Sequence, residues 1–303
     1  MSARASRPMQ RRTIYFTLFS AAALALFFLS LREAAAPFFR SDQYSYVVLV
    51  PFIGGYFLFI QRKGLFQTQC YAPFTGILVI AVASAIYLFG TEAGLGRNDY
   101  FSMMTFSLLV MLVGGFIFFY GMRALKAASF PFAFLIFMVP VPSLLMDPVV
   151  HFLRVGSTEA ANAILKMTGA PFIRDGFCFY LPGLGIEVAD ECSGIRSAIS
   201  LVITSVVAGK LFLDTRSRRV AIALLAIPIA IVKNGMRIVT LFLLGDYVDK
   251  RVLSSSLHKY GGIPFFLLGL LLLGAVLWAL RKSEGRGNKE RTPLAATPAE
   301  DNE

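Results

Sequence analysis

Apolar residues gather in eight runs, at about 13–31, 46–61, 74–91, 100–120, 131–146, 193–213, 220–245 and 263–280. A helix needs about 20 such residues to cross a bilayer. Most of the runs reach or approach that length. Those at 46–61 and 131–146 are short, so a tilted or partly re-entrant path is expected for them. The pattern predicts an all-α membrane protein, a bundle of about eight transmembrane helices.

One long segment interrupts the series, at 147–191. In its first half Val150, Leu153, Ala160, Ala161, Ile164 and Leu165 alternate with polar positions at helical spacing. This predicts an amphipathic helix lying at the interface. Its second half has two β-prone stretches, 177–181 and 186–188, around Pro182, Gly183, Leu184 and Gly185. Turn residues between two such stretches predict a β-hairpin. The domain plan is then a basic N-terminus at 1–12, one polytopic membrane domain at 13–282 and a polar, disordered tail at 283–303. Ala34-Ala35-Ala36 resembles a signal-peptidase site. The apolar run before it is longer than the 7–15 residues typical of a signal core, so it reads as a retained anchor.

Charge gives the orientation. With the N-terminus inside and the helices alternating, 17 Lys and Arg fall in inner segments and 9 in outer ones. That bias puts both termini in the cytoplasm and segment 147–191 outside. The net charge of +11 is spread between apolar runs rather than along one stripe, so it points to a lipid bilayer and not to nucleic acid. Mean hydropathy of +0.67 agrees. Three scattered cysteines make neither a disulfide framework nor a zinc ribbon, and no metal or cofactor motif is present.

Chemistry concentrates near the outer face. Cys192, in Glu191-Cys192-Ser193-Gly194-Ile195-Arg196, is expected to begin the sixth helix. A helix N-terminus favours thiolate, and Arg196, four residues on, would add to that. The plain alternative makes Cys192 a small apolar filler. The seventh helix carries Lys233, Asn234 and Arg237 on one face, with Arg237 about 12 Å inside its outer end. Intramembrane charges of this kind usually mark function. Arg237 snorkelling to an outer carboxylate is the structural alternative. His258 lies in the outer loop before the last helix; His151 lies on the amphipathic helix and is the weaker candidate. Cys178, also outside, leaves open a Cys178–Cys192 disulfide. Such a bridge suits a non-catalytic subunit of polysaccharide assembly. A transporter is a further alternative, although no inverted repeat is visible.

The motifs Glu191-Cys192-Ser193-Gly194-Ile195-Arg196-Ser197 and Asn234-Gly235-Met236-Arg237-Ile238, then His258 with Gly261-Gly262, resemble the exosortase/archaeosortase family. Leu181-Pro182-Gly183 before the cysteine fits as well, and the likeness spans about 40–280. One departure is Tyr44-Ser45-Tyr46, where the family often has Tyr-Ser-His. The resemblance implies a cysteine transpeptidase of the bacterial inner membrane, associated with exopolysaccharide systems. Its substrates would be membrane-tethered proteins with a C-terminal sorting signal. It makes Cys192 the nucleophile, Arg237 the oxyanion partner and His258 the acid/base. Glu191, Arg196 and Asn234 would support them.

Overall fold

The computed structural model describes residues 6–40, 45–65, 72–181, 184–247 and 262–290. Within these the chain is helical apart from one small sheet. It divides into two compact units, Met1–Met146 and Asp147–Glu303, where the sequence suggested one membrane domain. The division follows Pro140, Val141 and Pro142, which end a 3-10 turn at Leu135–Met138. Two prolines so close cannot carry a helix through.

The first unit holds α1 (Ser6–Arg40), α2 (Ser45–Leu65), α3 (Pro73–Glu92) and α4 (Arg97–Tyr120). Two short helices follow, α5 (Met122–Ala127) and α6 (Ser129–Phe134). Pro73 opens α3, where its missing N–H and fixed φ suit the first turn. α4 ends at Gly121, with φ at +85°. α3 and α4 run antiparallel and close together. A Cβ on Gly76 would lie 2.6 Å from the Phe118 backbone. Small residues allow this, as between membrane helices generally. Ser107 donates to Ala83 O at 2.7 Å across the same interface. α1 packs on α4 through Phe16 against Phe116 and Tyr120. Farther along, Phe27 and Ala23 join Leu108 and Met111. Arg11 and Arg12 therefore stand at the same end of this unit as Arg123 and Lys126.

The second unit holds α7 (Ser143–Thr168, from Asp147 on), β1 (Ile173–Asp175), β2 (Cys178–Leu181), β3 (Leu184–Glu187), α8 (Ile195–Phe212), α9 (Arg216–Tyr247) and α10 (Gly262–Glu290). α7 buries Leu153, Ser157, Thr158, Ala161 and Leu165, one helical face, as its amphipathic pattern predicts. The hairpin β2–β3 forms in the register Cys178↔Glu187 to Leu181↔Leu184. A third antiparallel strand, β1, joins its other edge. Asp214 N and Thr215 N both donate to Glu284, which ties the start of α9 to α10. That end also carries Lys210, Arg216, Arg218, Arg219, Arg281 and Lys282.

Among the described residues, six helices are long and apolar enough to cross a membrane. A seventh span arises if Ser129–Met138 and Ser143–Thr168 count as one bent pair. The described residues thus hold six or seven spans beside the expected bundle of about eight. The apolar helix at Tyr46–Gln61 falls short in length. The run at 131–146 is broken by its prolines. The tail also starts later than expected, because α10 continues to Glu290. Residues 291–303 and the Pro182–Gly183 turn lie outside the described residues.

Candidate active site

Cys192 closes a single 3-10 turn, Asp190–Cys192. Its N–H donates to Ala189 O at 2.9 Å, and that of Ser193 donates to Asp190 O at 3.0 Å. Gly194 then takes φ +77° and serves as N-cap of α8. The left-handed residue turns the chain into the helix. Cys192 therefore precedes α8 instead of beginning it, and the expected shared helix face with Arg196 does not hold. Arg196 lies exposed in the first turn of α8. Glu191 lies in the 3-10 turn.

Two neighbouring residues of α9 grip this loop. Asn234, 1% exposed, donates through Nδ2 to Cys192 O at 2.8 Å and to Ser157 Oγ at 3.0 Å. Lys233 donates to Ser197 Oγ, which donates to Gly194 O at 2.9 Å. The Lys233 stem passes 3.2 Å from where a Cβ on Gly269 of α10 would stand. A Cβ on Gly194 would fall 2.7 Å from Asn234 Oδ1. Gly194 is thus required twice, by its φ and by the closeness of Asn234. Arg237 follows Asn234 by three residues, less than one turn along α9, and is partly buried. Beyond it, Val239 and Phe242 pack on Phe179, Leu181 and Val188 of the sheet region, and Cys192 packs on this same cluster. The last turns of α9 are therefore covered by the hairpin. Arg237, three residues beyond Asn234, stands near the level of the cysteine loop.

The other support comes from α7, through a residue the sequence reading counted only as an outer charge. Arg154 donates Nε to Val188 O, Nη1 to Asp190 at 3.1 Å and Nη2 to Glu187 at 3.1 Å. Its guanidinium also lies 4.0 Å from the centre of the Phe177 ring. One planar fork thus fixes both ends of the segment leading to Cys192. The signal available in the sequence was its place beside Leu153 on the buried face of α7. Ser157, one turn on, was missed in the same way. His151 is exposed on α7 and meets Phe177 edge-on at 6.2 Å.

Cys178 and Cys192 are both free thiols. Strand alternation explains why they stand apart. Phe179 and Leu181 face the cluster that holds Cys192, so Cys178 and Tyr180 take the opposite face. There the Cys178 side chain holds the Tyr180 phenol above its ordinary pKa through a hydrogen bond. On β1, Arg174 binds Glu159 of α7 at 2.7 Å and holds that carboxyl below its ordinary range. His258 lies outside the described residues.

The arrangement joins the loop that carries the Cys192 thiol to an α9 face carrying lysine, amide and guanidinium. Comparison with known proteins gives a family and not a site. The model of the transmembrane exosortase family matches residues 38–275. No curated protein and no solved structure matches the chain. The family match takes in the hairpin, the cysteine loop and all of α8 and α9. Matched over well more than half its length, the chain belongs to the transmembrane exosortase family.

Proposed function

We propose that this protein is a cysteine peptidase and transpeptidase of the bacterial cytoplasmic membrane. It would act at the outer face, with both termini in the cytoplasm. The substrates are secreted proteins still tethered by a C-terminal sorting signal. The Cys192 thiolate attacks the scissile carbonyl, and a C–S bond forms as the carbonyl oxygen becomes an oxyanion. Arg237 donates to that oxyanion, a contribution commonly worth about 3 kcal/mol. Collapse breaks the C–N bond, and His258 protonates the leaving amine. Water or an acceptor amine, deprotonated by His258, then releases the acyl group from sulfur. A membrane tether holds the substrate near the site and reduces the entropy cost of encounter.

The observation that carries this reading is the Asn234 bond to Cys192 O. It ties the nucleophile's own residue to the helix that presents Arg237. The position of the basic residues supports the outward face. In the second unit Lys210, Arg216, Arg218 and Arg219 lie where α8 ends and α9 begins, away from Cys192. The test is processing of a co-expressed sorting-signal substrate, normalised to enzyme level in the membrane. Cys192→Ala should leave the substrate uncleaved. Full processing by that variant would rule out the enzyme.

A further inference from the structure

The first unit carries a groove that the proposed chemistry does not use. It has a volume of about 540 Å³ and lies between α4 and the α5–α6 segment. Phe106, Leu109 and Val113 form one wall, and Leu125, Phe132 and Ile136 the other. From Phe106 to Val113 the groove follows α4 for about 10 Å at roughly 1.5 Å per residue. Its only polar lining group is Ser129. Phe106, Ala133 and Ile136 are exposed, so the groove opens sideways from the helices and not toward a core.

Charge marks one mouth. Leu125 lies between Arg123 and Lys126 on α5, and both cations are exposed. Among the described residues neither has an ion-pair or hydrogen-bond partner. Glu92 and Asp99 lie at the opposite end of the α3–α4 pair. An apolar slot in a membrane helix bundle, with two free cations at its mouth, has the chemistry of an anionic lipid. Basic sites between membrane helices hold such head groups.

We propose that this groove binds one acyl chain of an anionic glycerophospholipid whose phosphate rests on Arg123 and Lys126. The site is built from residues of the first unit alone, and its chemistry is independent of the cysteine. Native mass spectrometry of the purified full chain tests it, with phosphatidylglycerol and phosphatidylcholine of identical chains as probes. The anionic lipid should bind more tightly, by about fivefold for each cation engaged, about 1 kcal/mol each. Arg123→Gln with Lys126→Gln should bring the two lipids to equal occupancy. Ala133→Trp, which fills the groove and leaves the charges, should lower bound lipid of both kinds. Unchanged thermal unfolding in detergent shows that each variant is folded, and Ile136→Trp replaces Ala133→Trp if it is not. Equal binding of both lipids by the native chain would overturn the proposal. So would a preference that survives loss of the cations, or competition by inorganic phosphate alone. A dimer mass that the tryptophan variant abolishes would assign the groove to a second copy instead.

Discussion

Gly194 carries two demands that no other residue meets. At φ +77° a side chain costs about 1–2 kcal/mol. The Cβ would also press on the Asn234 amide at 2.7 Å. That amide cannot retreat without releasing Cys192 O, and losing the bond to this part-buried carbonyl costs about 1 kcal/mol. Gly194→Ala should therefore lower processing at least tenfold, whereas Gly262→Ala, with open space around it, should not. Substrate turnover per membrane-inserted enzyme compares the two. Unchanged turnover in Gly194→Ala would show that the loop tolerates displacement. Arg237 poses a different question, of charge against geometry. Guanidinium offers a planar fork, and ammonium only a compact charge on another stem. If Arg237 holds an oxyanion, Arg237→Lys should keep abundance and lose most of the turnover. A fall in abundance instead would identify a structural ion pair, whose breakage unfolds the bundle.

Among the elements, the hairpin depends on α7 for its position, and the energetics separate which contacts matter. The Glu187 and Asp190 carboxylates are 64% exposed, so each ion pair to Arg154 contributes under about 1 kcal/mol. The bond to Val188 O is different, because Val188 is buried and its carbonyl needs the donor. Arg154→Lys keeps the charge and loses the fork. It should slow processing several-fold, while Glu187→Gln stays within about twofold of the native rate. The reverse order would mean that charge, not the fork, holds the segment. These elements also mark what the sequence disclosed. The amphipathic face of α7 and the pairing of β2 with β3 were legible, because each rests on local periodicity or local turn chemistry. β1 was not, since Ile173–Asp175 is too short to show alternation. The support from Arg154 and Ser157 was hidden too. Contacts from Arg154 to Glu187 span 33 positions, and no local pattern records such a pairing.

For the molecule as a membrane protein, the apolar runs made the helices legible but not their lengths. Sequence hydropathy counts a run and not an unbroken helix, and Pro140 and Pro142 break the fifth run. The candidate site was legible as three motifs, and two of them meet through Asn234 and Cys192. The position of Cys192 relative to α8 was not, because the left-handed turn at Gly194 is a tertiary choice enforced by Asn234 packing. The proposed side of the membrane rests on charge at both units. Arg11, Arg12, Arg123 and Lys126 mark one end of the first, and the cluster from Lys210 to Arg219 marks one end of the second. Basic residues stay in the cytoplasm because translocating them is disfavoured. Reporter fusions at Lys126 and Arg218 should therefore read cytoplasmic, and fusions at Arg174 and Lys250 external. A membrane-impermeant thiol reagent on intact cells should then label Cys192 without prior reduction, and Cys192→Ser should lose that label. Cytoplasmic signal at Arg174, or label that appears only in opened cells, would put the thiol on the wrong face. Substrates already exported would then be out of its reach, and the sorting reaction would have to be abandoned.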